Sequence, residues 1–308
     1  MLSLQQLADL ADPRIRGIWN ETNDQLSKTL EYSNFGFKDI DADVKSPIYE
    51  NFSGLGRAVL TGEGEPYHRE DKVPGYSVTI TPQKYTQAAV ITEEMLRFNL
   101  WPEINEITSS TANSVNQIIN ENSAKILYLG FGTTFATGGD ALALFSAVHP
   151  MKDGSTQSNT LGAIPLSYDN LKTARQALDR MYDDKGVPMN VCRNLRLIVA
   201  QENKERAEEV LRSFGNPDSA NRVNNVFANG MGGIDYKVAS WIPSGYSKYW
   251  FLIDLDRAAK MAKMVWAWRP KFDSDKIVNN GTKVYTASVM FQPGFQSFQW
   301  VVGANSTT

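Results

Sequence analysis

Few residues of this chain carry the chemistry of a recognisable catalytic or metal site. The 308 residues include two histidines, His68 and His149, and one cysteine, Cys192. These three side chains are too few for a zinc site built from His and Cys ligands. A single cysteine also excludes an internal disulfide framework. The sequence therefore predicts no metal ion and no cofactor.

His149 is the residue on which an enzymatic interpretation would rest, because it could act as a general base. No Gly-x-Ser-x-Gly motif accompanies it, no recognisable residue pairs with it, and Cys192 has no local activating pattern. A structural histidine beside Pro150 is the favoured interpretation. We predict no catalytic residue, and a hydrolase that uses His149 is kept as a third hypothesis.

An acidic segment matches part of a calcium-binding loop. Asp39, Asp41, Asp43 and Glu50 occupy positions 1, 3, 5 and 12 of that pattern, but Val44 stands where the loop needs glycine. A solvated acidic turn is the favoured interpretation, because short motifs often match by chance.

Two further motifs have simpler structural interpretations. Asp254 and Asp256 could be paired carboxylates, but beside Arg257 they are more simply charges at a helix start. Residues 130–139 are rich in glycine, yet no Gly-Lys-Ser/Thr follows them, and they follow a helix pattern instead of a strand. We interpret them as a flexible connection.

The element predicted most clearly is a long helix, or a short turn and a long helix, between Thr92 and Gly130. Thr92 is a good N-cap, Pro102 breaks the run or starts the main helix, and Gly130 is a good stop. Apolar residues recur at steps of three and four between them. A helix from Pro102 to Leu129 would be roughly 40 Å long and would form a spine.

Residues 1–46 are predicted to form an arm. An apolar stripe is interrupted at Pro13, which predicts two short amphipathic helices with no obvious local partner. Residues 47–91 are predicted to form a long β-hairpin, with arms at Phe52–Thr61 and Tyr76–Thr81. A hairpin of this length is expected to rest on a neighbouring surface, since isolated hairpins are marginally stable.

The predicted tip of this hairpin is charged. Its candidate contact residues between subunits are Glu63, Glu65, Arg69, Asp71 and Lys72. A solvated loop and an intersubunit salt-bridge contact are weighed evenly, because single surface ion pairs contribute little and matter mainly when repeated.

The second half of the chain predicts a small α/β lobe followed by strands. A helix starts at Ser167, a strand covers 194–200, and a further helix with Phe214 on its apolar face covers 201–214. Asp273–Thr282 is predicted to be a polar loop. A turn is expected at Pro293-Gly294, before a last strand over Phe295–Val302.

Composition narrows the class of protein. Hydrophobic residues make up 42% of the chain, and 31 Lys and Arg balance 34 Asp and Glu for a net charge of −3. A dedicated nucleic-acid binder would usually be basic. No apolar run approaches the roughly 20 residues needed to cross a bilayer, and the N-terminus lacks a signal-peptide pattern. We expect no membrane association and a soluble protein made in a reducing cytoplasm.

The order of these elements and several short motifs resemble the major capsid protein of tailed bacteriophages. The resemblance is to the Hong Kong 97 fold, and in particular to the Mu-like major head subunit group. The motifs that carry it are Leu55-Gly56, Thr61–Glu65, Lys84-Tyr85, Val90–Met95, Asp140–Pro150 with Gly154–Asn159, Trp250–Asp254 and Arg269–Phe272.

The resemblance implies an α+β fold with an N-terminal arm, an extended β-hairpin loop, a long spine helix, a peripheral domain and an axial domain. The implied boundaries are 1–46 for the arm, 47–92 for the extended loop, 93–159 for the peripheral domain with the spine helix, 160–245 for the axial domain, and 246–308 for the second part of the peripheral domain. Asp273–Thr282 would be a projecting loop of the peripheral domain.

The resemblance also implies a structural function. The subunits would form hexamers and pentamers of a closed icosahedral shell, in a virion assembled in the bacterial host cytoplasm. The shell would enclose double-stranded DNA without sequence-specific binding. A separate scaffold or protease, a portal and decoration proteins are the implied partners, the scaffold being separate because the chain starts almost at its arm. An encapsulin-like shell around cargo enzymes is the alternative.

Overall fold

The computed structural model describes the backbone of residues 4–52, 57–69, 74–189, 191–218, 224–228, 233–277 and 282–306. The helices are α1 Leu4–Ser27, α2 Glu93–Arg97, α3 Trp101–Tyr128, α4 Tyr168–Asp179, α5 Lys204–Arg212 and α6 Leu255–Met261. Short 3-10 helices cover Glu31–Phe35, Gln201–Asn203 and Ser244–Tyr246. The strands are β1 Lys38–Asp41, β2 Ile48–Phe52, β3 Pro74–Thr79, β4 Gln83–Ile91, β5 His149–Pro150, β6 Thr156–Gln157, β7 Leu195–Val199, β8 Ile234–Val238, β9 Trp250–Asp254, β10 Ala262–Ile277, β11 Thr282–Phe295 and β12 Val301–Ala304.

The spine helix is present as a short and a long helix. The Thr92 hydroxyl accepts the N–H of Met95 and caps α2, and α3 begins at Trp101 with Pro102 in its first turn. Because proline lacks an N–H that the first turn would leave unpaired, it fits this position without loss. The 28 residues of α3 extend about 40 Å, as the sequence predicts.

The first sheet has the strand order β1-β10-β11-β4 and lies against α3. The long strands β10 and β11 are antiparallel, and Ile277 pairs with Thr282 at their far end. The predicted polar loop at Asp273–Thr282 is therefore wrong for residues 273–277, which continue β10. Residues 273–276 are all polar, so composition alone favours a loop, and only the pairing with β11 shows the strand.

The expected turn at Pro293-Gly294 is also wrong. Both residues lie inside β11 and pair with Met264 and Lys263 of β10. A Cβ atom on Gly294 would lie only 2.6 Å from the Cδ1 atom of Ile80. Glycine at this position thus serves close packing instead of a turn. The last strand consequently starts at Val301 and not at Phe295.

The second sheet has the order β12-β9-β7-β8, with α4 against β12 and β9 and α5 against β8. Every residue of the central strand β9 is buried. The Ser167 hydroxyl accepts the N–H of Asn170 and caps α4, as predicted. The predicted place of Phe214 on the apolar face of a helix is wrong. The helix α5 ends at Arg212, and Phe214 is 84% exposed.

The N-terminal segment forms one helix, α1, in place of the two short helices predicted. Pro13 lies inside it, and the loss of one backbone hydrogen bond does not end the helix. Ile15 and Trp19 are buried, and the Trp19 ring stacks on Phe272 of β10 at 5.1 Å. The expectation that the arm lacks a local partner is therefore wrong, because α1 packs against α3 and the first sheet of its own chain.

The glycine-rich segment 130–139 packs against the core at its two ends, while residues 132–134 and Thr137 are exposed. Phe131 stacks on Phe145 with 4.5 Å between ring centroids. A Cβ on Gly139 would lie 2.7 Å from the Cβ of Tyr76, so the glycine lets this segment approach β3. Periodicity gives no signal for such packing, which depends on residues far apart in sequence.

Candidate assembly surfaces

The predicted hairpin is present, and its base is paired in the part of the chain that the structure describes. Strands β2 and β3 are antiparallel, and their pairing runs from Ile48 and Thr79 to Phe52 and Pro74. The predicted arm at Phe52–Thr61 is wrong for residues 57–61, which are not in a strand, whereas Phe52 ends β2. Residues 53–56 lie outside the described residues.

The segment beyond this ladder carries the candidate contact residues. We call residues 57–69 the tip. Glu63, Glu65 and Arg69 are all exposed, and a turn brings the N–H of Gly62 to a Glu65 carboxylate oxygen at 3.0 Å. Asp71 and Lys72 lie outside the described residues. The tip also exposes apolar side chains: Leu60 is 99% and Tyr67 91% exposed.

The base of the hairpin is attached to the body of the protein. The ammonium of Lys152 lies 4.0 Å from the centroid of the Tyr76 ring, and Gln296 Nε2 donates to the carbonyl oxygen of Glu50 at 3.2 Å. Asp184 lies beside the same strand, 3.3 Å from where a Cβ on Gly75 would be. The base of the hairpin is therefore held by contacts with the rest of the chain.

The environment of Asp184 raises the pKa of its carboxyl group. Burial is the largest cause, and the charges of Asp183 and Asp153 raise the pKa further, against the opposing effect of Lys152.

His149 is buried in a hydrogen-bonded network whose other members were not predicted from the sequence. Its Nδ1 atom lies 2.6 Å from a carboxylate oxygen of Asp140, and its Nε2 atom lies 3.2 Å from Asn159 Oδ1. The ring stacks on Phe298 at 3.7 Å. Asn159 also donates to the carbonyl oxygens of Leu144 and Val301. The network ties the segment after α3 to β12.

The charge balance of this network supports a structural role. Burial alone would raise the pKa of Asp140, but hydrogen bonds from His149 and the Leu142 N–H outweigh burial and lower the pKa. Both ring nitrogens of His149 face oxygen atoms of its own chain, and its side chain is 1% exposed. A general base needs access to a substrate proton, which this geometry does not provide.

The other candidate chemical groups are likewise used within the fold. Asp254 caps α6 by accepting the N–H of Asp256 and of Arg257, so its interpretation as a helix-start charge is confirmed. Burial raises the pKa of the Cys192 thiol, and a hydrogen bond to Asp254 raises it further. Cys192 is therefore not an activated nucleophile.

The acidic segment after α1 has partners other than calcium. Asp39 accepts hydrogen bonds from Trp266 Nε1 at 3.0 Å and from the Tyr32 hydroxyl at 3.1 Å. Within the described ranges, no three His, Cys, Asp or Glu side chains come together in a way that could hold a metal ion. In the same part of the chain, no helix has the length and apolar character needed to cross a membrane.

A family model described as phage capsid protein matches residues 75–301 of the chain. That match covers most of both sheets, the spine helix and the lobe between them. The chain belongs to the phage capsid protein family. The predicted resemblance to phage capsid subunits is thereby confirmed at the level of the family. No curated protein sequence matches this capsid protein.

Solved capsids share the fold of this capsid protein at low sequence identity. The capsid of Ralstonia phage GP4 is 12% identical, with a TM-score of 0.57 over 87% of this chain and 86% of that one. The mature capsid of bacteriophage PhiM1 is 11% identical, with a TM-score of 0.56 over 89% and 86%. A chain in the solved structure of Mycobacterium phage Bobi is 11% identical, with a TM-score of 0.55 over 90% of each chain. The α+β capsid fold expected from the sequence is confirmed.

Proposed function

We propose that this chain is the major capsid protein of a tailed bacteriophage and forms hexamers and pentamers of a closed icosahedral shell. The observation that carries the proposal is the family match over residues 75–301. The fold shared with whole capsid subunits supports it, since the likeness covers about nine-tenths of both chains. Closed shells of this kind gain strength from modest contacts that symmetry repeats many times.

The shell would enclose double-stranded DNA without reading its sequence. The net charge of −3 supports this part of the proposal, because a mildly acidic subunit adheres weakly to phosphate. We assign the chain a structural role without a catalytic residue, a cofactor or a metal ion. The buried position of His149 argues against the hydrolase hypothesis.

The hairpin tip is proposed as a contact between subunits, with Glu63, Glu65, Arg69, Asp71 and Lys72 as its contact residues. Three of them are described, and all three are exposed. Leu60 and Tyr67 of the same tip are 99% and 91% exposed, and a contact between subunits would bury them.

The proposed site of assembly is the host cytoplasm, and the assembled protein would be part of the virion. The division into an arm, an extended loop, an axial domain and a peripheral domain in two parts stays a prediction at the boundaries given above. Scaffold or protease, portal and decoration proteins are proposed partners of the whole particle.

Sedimentation and negative-stain electron microscopy of the purified chain test this function. We expect fast-sedimenting closed shells, or rings of six and five subunits, alone or with a co-expressed scaffold gene. A uniform population of monomers in both preparations would contradict the proposal. Shells filled with one folded enzyme in place of nucleic acid would favour the encapsulin-like alternative.

A further inference from the structure

A short segment between α1 and β1 contacts both sheets of the protein. We call residues 30–37 the strap, which contains the 3-10 helix Glu31–Phe35. The Tyr32 ring of the strap meets Trp266 of β10 in the first sheet, with 6.2 Å between ring centroids. The strap lies outside residues 75–301, so the family match does not assign it a role.

Two short connections between the sheets lie side by side. One is α6, which joins β9 to β10, and the other is the segment 296–300, which joins β11 to β12. The Asp254 N–H donates to the Trp300 carbonyl oxygen at 2.9 Å, and Arg257 donates to the Gln299 carbonyl oxygen at 3.3 Å. Because these bonds hold the two connections together, they form one compact unit, which we call the crossing.

The second half of the strap packs on the crossing. Gly36 has a φ of +76°, and a Cβ atom on it would lie only 2.9 Å from the Cβ atom of Ala258 in α6. Glycine is therefore required here for both the backbone conformation and the close approach. The Phe37 ring meets the Trp300 ring edge-on, with 6.1 Å between centroids. The strap is thus held where the chain passes from one sheet to the other.

The first half of the strap joins the spine helix to the second sheet. The Glu31 N–H donates to Asn120 Oδ1 of α3 at 2.8 Å. The Glu31 carboxylate accepts the N–H of Ser240 at 3.0 Å, and Ser240 follows β8, an edge strand of the second sheet. Arg196 of β7 also donates to the carbonyl oxygen of Asn34 at 3.2 Å. Glu31 therefore bridges α3 and the edge of the second sheet that lies away from β9 and β12.

The contacts at the two ends of the strap differ in kind. Phe37 and Trp300 at the crossing are buried, whereas Glu31 is half-buried and Ser240 is exposed. Among the described residues, no Lys or Arg forms an ion pair with Glu31. A hydrogen bond that water can reach is exchanged for bonds to water at small net cost, but parting buried rings exposes apolar area. The bond between Glu31 and Ser240 is therefore the contact of the strap that opens most easily.

We propose that the strap sets the angle between the two sheets, with Glu31 as its positioning residue. While the Glu31–Ser240 bond is closed, the second sheet is held to the spine helix. When the bond is open, the second sheet turns about the crossing, as in hinge motions in which a few residues absorb the change. The angle within a subunit decides the curvature of the rings that it builds. The strap would then control the shape of the shell, a step that rests on the proposed shell function.

A distance between two spin labels tests the angle directly. Lys84→Cys on β4 and Lys172→Cys on α4 place the labels at exposed positions beside the two sheets, and the chain's own Cys192 is buried. Dilution with unlabelled wild-type chains restricts the measurement to distances within one copy. We expect Glu31→Ala to shift and broaden the distribution of distances. Glu31→Gln keeps an acceptor oxygen and should stay close to wild type.

A second variant and a matched control accompany this test. Gly36→Ala should also shift the distances, because its Cβ atom would push the strap away from α6. Glu21→Ala is the control, since Glu21 is an exposed glutamate of α1. Distances unchanged in both Glu31→Ala and Gly36→Ala, or changed equally in Glu21→Ala, would overturn the proposal.

Electron microscopy of the same variants separates the strap from the proposed function. We expect Glu31→Ala to give particles of mixed size and shape under conditions in which the wild type forms closed shells. Closed shells of uniform wild-type size from Glu31→Ala would overturn the control of shell shape and leave the capsid function intact. A wild-type chain that forms no shells, with label distances that still depend on Glu31, would overturn the proposed function and leave the role of the strap in the fold.

Discussion

At the scale of single residues, the most consequential feature is the buried network around His149. Its ring joins Asp140 of the segment after α3 to Asn159, which in turn bonds a carbonyl of β12. Removal of one member leaves another buried and without its partner, which costs more than the lost bond itself.

His149→Ala should therefore lower the free energy of unfolding by about 3 kcal/mol, because the Asp140 carboxylate would stay buried without its hydrogen-bond partner. Urea unfolding of the unassembled chain measures this change. His68→Ala is the matched control: this second histidine is exposed on the tip, and we expect less than about 0.5 kcal/mol. Equal effects of the two substitutions would show that the network does not stabilise the fold.

Asp12 connects α1 to the first sheet through charge. Its two carboxylate oxygens lie 2.7 Å from Arg16 Nε and 3.0 Å from Lys283 Nζ. Burial would raise the pKa of Asp12, but these two cations outweigh it and lower the pKa from 3.8 to about 2. A carboxyl group with a lowered pKa in the folded state stabilises that state above its unfolded pKa.

Asp12→Asn should cost about 2 kcal/mol near pH 7, from the shift of the Asp12 pKa. The difference from wild type should be constant above about pH 4 and should shrink as the pH falls toward 2, because Asp12 then takes up a proton in both states. Unfolding measured across this pH range tests the sign. Asp24→Asn, at an exposed position of the same helix, is the control. A cost at pH 2 equal to that at pH 7 would contradict the electrostatic account.

At the scale of elements, α1 is the part of the fold that the sequence described least well. Pro13 and the lack of a nearby apolar segment suggested two short helices without a partner. The partners are Phe272 on β10 and residues of α3, which are far from α1 in sequence. Packing against them compensates for the hydrogen bond that the proline cannot make.

Trp19→Ala should cost about 3 to 5 kcal/mol, because it removes a buried aromatic ring and leaves a cavity against Phe272. Hydrogen exchange should show that α1 loses protection before the sheets do, since its buried face is the main attachment. Leu10→Ala changes a residue of the same helix that is 76% exposed and should have little effect. Unchanged protection of α1 in Trp19→Ala would indicate that other contacts hold it.

The elements predicted correctly share a local signal. Each of these signals involves only a few neighbouring residues: the caps at Thr92 and Ser167, and the proline in the first turn of α3. The wrong predictions lie where pairing between residues far apart in sequence determines the structure. The polar segment Asp273–Ile277 is an example, because it is a strand only through its pairing with β11. Phe214 shows the reverse: its spacing fits the apolar face of α5, but the helix ends before it.

The candidate site could be predicted only in part. A charged hairpin tip is visible in the sequence, because Glu63, Glu65 and Arg69 lie between two strand patterns. The partners of His149 are not visible, since Asp140 and Asn159 reach it through the fold of the loops.

At the scale of the whole molecule, the fold combines one shared hydrophobic core with an exposed hairpin tip. The spine helix and first sheet share one core, and the hairpin leaves it from a base fixed by Tyr76 and Gln296. A contact between subunits that is individually weak can hold a shell when many copies repeat it. Family membership and the shared capsid fold point to such a shell.

Cryo-electron microscopy of the assembled particle tests the central claim most directly. We predict a closed shell of rings of six and five copies, in which this fold accounts for the density of every subunit. A particle with neither ring, or a chain that stays monomeric with its tip free under all assembly conditions, would contradict the capsid account.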